Sequence, residues 1–142
     1  MSEELIALGW TRFFEEQQQS WNEPELIPAR IVAEHRGGYE VASAHGSGFA
    51  RVAGKLRHES QDGLPGVGDW VALDAAPGPD RTALIERLFA RRTAFLRGAA
   101  GRESRVQVVA ANVDVVFVVC GLDQDFNLRR IERYLARVWA SG

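Results

Sequence analysis

The chain has 142 residues, 46 % hydrophobic and 25 % charged, with a formal charge of −2 and a single cysteine, Cys120. That is enough for a real hydrophobic core, in one domain or in one domain plus a piece of another. The lone cysteine excludes an intrachain disulfide and fits a cytosolic chain, and the longest apolar run, residues 115–120, is far too short to span a bilayer.

The small net charge hides an asymmetry. Residues 1–27 carry one Arg against six acids, residues 28–110 twelve Lys/Arg against nine acids, and residues 111–142 four of each. Between Arg87 and Arg105 stand six arginines and one acid, Glu103. Because salt screens charge beyond about 10 Å, local density matters more than the total. The pattern predicts a polyanionic partner met by one face. The acidic start, Met1-Ser2-Glu3-Glu4, lacks the basic-then-apolar pattern of a secretory signal.

In chain order, Ile6, Trp10, Phe13 and Phe14 have helical spacing over residues 3–19, with Ser2 as N-cap and Gly9 as a weak point. Residues 20–28 hold two prolines and read as a linker. From Ala29 the period becomes two. Three β-prone runs, 29–35, 39–44 and 48–56, are separated by turns at Gly37-Gly38 and Gly46-Ser47-Gly48. Residues 57–68 are polar and Gly/Pro-punctuated, predicting a loop. Two more strands follow over 69–76 and 81–90.

Five short strands with Gly-rich turns predict a mainly β protein built on a small barrel. An OB-fold has five strands and binds through its strand 2–3 face and the loops between strands 1–2 and 4–5. An SH3-like barrel fits the strand count nearly as well; the long loop after the third strand favours OB. The predicted organisation is an N-terminal helix and linker over 1–27, the barrel over 28–98, and a connector with the start of an α/β unit over 99–142.

That last part opens on "RRTAFLRGAAGRESR", flexible around Gly98 and Gly101, and continues as "VQVVAANVDVVFVVCGL". Near-continuous apolar sequence predicts strands buried on both faces, with Cys120 in the core. Asn127 is placed to cap a helix whose Leu128, Ile131, Leu135 and Val138 form one stripe, flanked by Tyr134 and Trp139. Asp123 and Asp125 read as caps for the same helix, and Asn112 and Asp114 as turn residues.

Among candidate sites, His35, His45 and His58 lack the close pairing that zinc ligands show, so a metal site is not expected. His58, beside Arg57, reads as a loop residue near a polyanion. The arginines carry the functional expectation, since guanidinium groups pair with phosphate bidentately and stack on bases. Arg91, Arg92, Arg97, Arg102 and Arg105 flank Phe95, while Arg36, Arg51, Lys55 and Arg57 lie on or between the early strands. These nine residues and His58 are the predicted RNA contacts, with aromatics as stacking platforms. The arginines between barrel and following unit have a structural alternative, pairing with acids across that junction.

The runs "PARIVAEHRGGYEV", "LPGVGDWVAL" and "RRTAFLRGAAGRESRVQVVAANVDVVFVVCGLDQDFNLRRIERYL", with "LGW" near the start, cover most of residues 28–137. In that order they resemble the bacterial ribosome small-subunit-dependent GTPase A family. The resemblance implies an N-terminal OB-fold that docks on small-subunit ribosomal RNA, then a circularly permuted GTPase domain, then a zinc-binding region. GTP, Mg²⁺ and Zn²⁺ are thereby implied for the full-length family, with the small ribosomal subunit and its rRNA as cytoplasmic partners and neither membrane nor DNA expected. The sequence departs from the family in what it omits. It has no G-x-x-x-x-G-K-[ST] and no N-K-x-D or T-K-x-D run, and its only lysine is Lys55. No cofactor and no GTP hydrolysis are therefore expected of these 142 residues. The rival from another class is a free-standing OB or SH3-like barrel acting as a protein-interaction module. It requires the Leu128–Ile131–Leu135–Val138 stripe to be buried within a compact unit.

Overall fold

The computed structural model describes residues 1–59, 63–97 and 107–142. Ser2 opens α1 (Glu3–Ala7), its hydroxyl accepting the Leu5 amide at 3.3 Å. The helix expected over 3–19 is two helices, because Gly9 takes φ +91° between α1 and α2 (Arg12–Trp21). The break reorients the apolar positions: Leu5, Trp10 and Phe14 are buried, while Ile6 and Phe13 are exposed.

Strands β1 (Ile27–His35), β2 (Gly38–Ser43), β3 (Gly46–Val52), β4 (Trp70–Leu73) and β5 (Ala83–Leu88) close a barrel in the order β1-β2-β3-β5-β4. Its pairs are antiparallel except β3 with β5, which run parallel. A parallel pair needs a crossover, and here α3 (Gly54–Glu59) and β4 supply it. This is the OB arrangement. The third run was expected to reach residue 56, but the strand stops at Val52. From Gly54 the good helix formers Lys55, Leu56 and Arg57 continue as α3, and Leu56 packs back onto the barrel core. The second hairpin turn falls on Ala44-His45 rather than on Gly46-Ser47-Gly48. There the Ser43 hydroxyl accepts the His45 amide and donates to the Gly46 carbonyl, closing the turn one step earlier.

Alternation fills the barrel with Ala29, Ile31, Tyr39, Val41, Ala50, Val71, Leu73, Ala83 and Ile85. β4 is buried on both faces. Val71 and Leu73 point inward, while Trp70 and Ala72 point outward into a second core made with Leu5, Trp10, Phe14, Leu26 and Phe89. Trp10 meets both Trp70 and Phe89 edge to face, with ring centroids 4.7 and 5.2 Å apart, the geometry the ring quadrupoles favour. The acidic N-terminal segment therefore covers β4. Among the described residues, the outer face of β2 and β3 carries the exposed Glu40, Ser47 and Arg51.

Burial pushes the Tyr39 hydroxyl up to about 12, with the Glu34 and Asp69 charges adding to it. The neutral phenol is favoured in the folded state, so its contribution is complete below pH 10 and is lost as pH rises from about 10 to 12. Chemical denaturation of wild type and Tyr39→Phe across pH 9–12 should show a decline in the wild type that the variant lacks in part. Parallel declines would refute the assignment.

Beyond the barrel, β6 (Ala94–Arg97) leaves the barrel domain it was assigned to and pairs antiparallel with β7 (Gln107–Ala111). Residues 115–120 were expected as a doubly buried strand. They pair with no strand among the described residues, and Val115, Phe117, Val119 and Cys120 are exposed. An apolar run is buried only where neighbouring strands and helices exist to cover it, and hydrophobicity alone does not supply them. The final helix, α4 (Leu128–Ala140), is capped by Asn127, whose side chain accepts the Arg130 amide at 3.2 Å. Asp123 does not cap it; its carboxylate accepts the Asp125 amide and closes a local turn. In the apolar stripe only Ile131 and Val138 are half-buried, and Leu128 and Leu135 are exposed. The stripe thus lacks the burial that a self-contained module requires.

A polar junction ties barrel, N-terminal helices and tail together. The Arg30 guanidinium donates to the carbonyls of Leu8 (2.5 Å), Gly68 (3.3 Å) and Asn112 (3.1 Å), and burial draws its pKa below the ordinary value. Asn112, at φ +54°, donates from its side chain to the Gly68 carbonyl and accepts the Arg92 amide. Gly68 sits at φ +89° against the Ala111 carbonyl, where a side chain has no room. Beside it the fully buried Asp69 carboxylate receives Arg91 through Nε and Nη2, both at 2.8 Å, and the Gly66 amide at 2.8 Å.

Candidate nucleic-acid interface

The ten predicted contacts fall into four groups. Arg91 lies in the junction just described, its side chain 14 % exposed on a buried carboxylate, so it holds structure together instead of facing a ligand. Arg92 reaches Asp114 at 3.4 Å across the same junction, which also assigns Asp114 a pairing role. Both take the structural alternative for arginines between two units. Arg102 and Arg105 lie outside the described residues. Phe95, expected as a stacking platform among these arginines, instead lines a cavity of about 430 Å³ with Val116, Phe117, Val119, Tyr134 and Val138.

Lys55 belongs to a second environment, a groove of about 1090 Å³ whose walls include Glu23, Glu25, Asp74, Glu86 and Arg87. The hydrogen bond from Arg87 holds the Glu23 carboxyl below its usual range, and the Lys55 charge adds to the attraction. Four carboxylates face three cations in that lining, Lys55, Arg87 and Arg91, so the Lys55 charge is countered by neighbouring acids. Lys55 is therefore set apart from the other barrel cations.

What remains lies mostly on or beside the outer face of β2 and β3. Ala50 points into the core, so its neighbours Phe49 and Arg51 share the outer face of β3. Across the ladder Tyr39 pairs with Ala50 and Glu40 with Phe49, which places the β1–β2 turn carrying Arg36 beside Arg51. Gly38 lets the Phe49 ring lie over the strand, since an added Cβ would come within 2.5 Å of it. His35 stands 6.3 Å from that ring and 3.4 Å from Glu40. Arg57, on α3, is close enough to Tyr39 for its charge to oppose the upward shift of that phenol. Along β3, Gly48 admits the segment at Pro77 and Gly78, because an added Cβ would meet the Gly78 amide at 2.5 Å. The β4–β5 loop therefore lies against one end of the strand and the β1–β2 turn against the other.

The result is a half-buried aromatic ring on the outer face of β3, with exposed Arg51 on the same face and Arg36 in the adjoining β1–β2 turn, while Arg57 is exposed on α3 near Tyr39. Such a surface neutralises phosphates and offers a base something to stack on. None of these three arginines forms an ion pair with another described residue. His58 is exposed on α3 next to Arg57, and Arg97 is exposed at the end of β6, on the hairpin and off this face. His45 lies in the β2–β3 turn. Among the described residues no three His, Cys, Asp or Glu side chains come together as metal ligands. Nor does any helix among them have the length and apolarity to cross a membrane. Phe49 and Arg30 were missed at the sequence level. Strict alternation beside Arg51 would have marked Phe49 as outward-facing, but nothing local marks Arg30, whose partners are 22, 38 and 82 residues away.

Comparison with known proteins agrees with this architecture. A sequence model described as RsgA GTPase matches residues 88–142. The small ribosomal subunit biogenesis GTPase RsgA of Opitutus terrae is 44 % identical over 96 % of this chain and 40 % of its own length. The protein of the same name from Syntrophotalea carbinolica is 41 % identical over 97 % of this chain and 40 % of its own. Among solved structures, YloQ, described as a circularly permuted GTPase, superposes with a TM-score of 0.58 at 21 % identity, covering 84 % of this chain and 39 % of that one. YjeQ from Thermotoga maritima gives 0.58 at 22 %, over 82 % and 38 %. The chain spans about two-fifths of the length of these relatives. By sequence identity along nearly its whole length, supported by the shared fold, the chain belongs to the RsgA family.

Proposed function

We propose that this chain is the rRNA-binding barrel region of a cytoplasmic ribosome-biogenesis GTPase, docking on the small subunit late in 30S maturation. The observation that carries this reading is the outer face of β3, where Phe49 and Arg51 lie beside the turn carrying Arg36, and none of Arg36, Arg51 and the α3 residue Arg57 has a carboxylate partner among the described residues. The relatives are named small ribosomal subunit biogenesis GTPases, which supports the small subunit as the partner of this face. GTP and Mg²⁺ belong in this reading to the longer relatives. The residues here do not fit them, since no phosphate-cradling glycine loop ends in Lys-Ser/Thr and Lys55 stands in an acidic groove. Zn²⁺ fits no better, with His35, His45 and His58 on separate elements.

Phe49→Ala tests the stacking part separately from charge. Loss of one base–aromatic stack is worth about 1–3 kcal/mol, so affinity for small-subunit rRNA should fall roughly five- to 150-fold while its salt dependence stays unchanged. Wild-type affinity in that variant would remove Phe49 from the site.

A further inference from the structure

Helix α4 carries Arg129, Arg130, Arg133 and Arg137 against one acid, Glu132. All four are exposed, and none forms an ion pair with another described residue. At 3.6 residues per turn they fall within an arc of about 100°, in a row about 12 Å long. The apolar residues Leu128, Ile131, Leu135, Val138 and Trp139 lie on the opposite arc.

This arrangement works against the helix itself. Arg129 with Arg133, Arg130 with Arg133, and Arg133 with Arg137 are like charges at i,i+3 or i,i+4, each unfavourable by about 0.2–0.5 kcal/mol. Arg129 and Arg130 also stand in the first turn, where the macrodipole disfavours cations and where no acid is present. A helix face that serves only solubility would intersperse acids. A row of unopposed guanidinium groups costs stability alone and is stabilised by a phosphate chain laid along it.

We infer that the arginine row of α4 is a second contact for an RNA phosphate backbone, separate from the barrel face. The inference rests on the RNA-binding reading of the chain. RNA fits better than an anionic bilayer for a geometric reason. A helix lying on a membrane buries its apolar arc, which here would aim the arginines away from the headgroups. Val138 of that apolar arc already lines the cavity shared with Phe95 and Val116, together with Tyr134 and Arg137 from the flank, which leaves Arg129, Arg130 and Arg133 clear of it.

The test compares the whole chain with the R129Q/R133Q/R137Q variant, a charge-preserving R129K/R133K/R137K variant and an R36E/R51E/R57E barrel variant. Each is titrated with small-subunit rRNA from 50 to 300 mM salt, and with phosphatidylglycerol vesicles. The glutamine variant should lose affinity about tenfold or more and show a salt slope smaller by about 2 to 3. Its thermal midpoint should be equal or higher, because the repulsion is relieved, and the lysine variant should keep the wild-type slope. An unchanged slope in the glutamine variant overturns the inference, as does a lysine variant that fails equally. Vesicle binding lost in the glutamine variant while RNA binding is kept overturns it in favour of a membrane. If only the barrel variant loses RNA, the helix contact falls and the barrel reading stands. If only the helix variant does, the barrel reading falls. A wild-type chain that binds no RNA removes both.

Discussion

Replacing Asp69 by Ala should destabilise the chain by about 3–5 kcal/mol, the range for removing one member of a buried, hydrogen-bonded ion pair. Asp69 is fully buried and accepts three hydrogen bonds at 2.8 Å, two from the Arg91 fork and one from the Gly66 amide. The substitution strands a mostly buried guanidinium without its carboxylate and the Gly66 N–H without an acceptor. Desolvation of such groups is not recovered by the small alanine side chain. The site also sits where Gly68 touches Ala111 and Arg30 reaches Asn112, so the loss should spread to the attachment of the β6–β7 hairpin. Urea denaturation provides the measurement. Arg91→Met should cost a comparable amount, and an Asp69→Ala/Arg91→Met double variant less than the sum of the singles. Additive losses in that cycle would show that the two side chains are not coupled.

The same residues show how far a sequence can be read. The barrel strands were legible because alternation around Ile31, Val41 and Ile85 matches one buried face, and glycines mark the first turn. Ser2 and Asn127 were legible as caps because capping is local chemistry. What failed depended on partners distant in sequence or absent from a local pattern. Residues 115–120 have the composition of a buried strand, yet burial is conferred by neighbours, and Cys120 went with them. Arg91 and Phe95 stood in a basic, aromatic-bearing run that reads as a nucleic-acid surface. Asp69, 22 positions before Arg91, turns one into a structural pair, and the cavity with Val116 turns the other into packing. Lys55 was separated from the other cations only when the fold brought Glu23 to it. The barrel face itself was half legible: Arg36, Arg51 and Arg57 stand out by charge, but the placing of Arg51 and the Arg36 turn beside Phe49 is a property of register.

Reversing those three charges should have the largest effect on binding. Each arginine that neutralises a phosphate contributes roughly 0.7–0.9 to the slope of log affinity against log salt. Reversal both removes that contribution and places carboxylates against the backbone. Affinity for small-subunit rRNA at 50 mM salt should drop at least 100-fold. Stability should change little, because all three side chains are exposed and unpaired with other described residues. Reversal of Lys55 instead should matter far less, since it stands among carboxylates already.

The most direct measurement is therefore equilibrium binding of small-subunit rRNA to the wild-type chain and to R36E/R51E/R57E, each across 50–300 mM salt. The barrel-face account predicts steeply salt-dependent binding by the wild type, with a slope smaller by 2 or more and a large affinity loss in the variant. Salt-independent binding, or equal binding by both proteins, would contradict it.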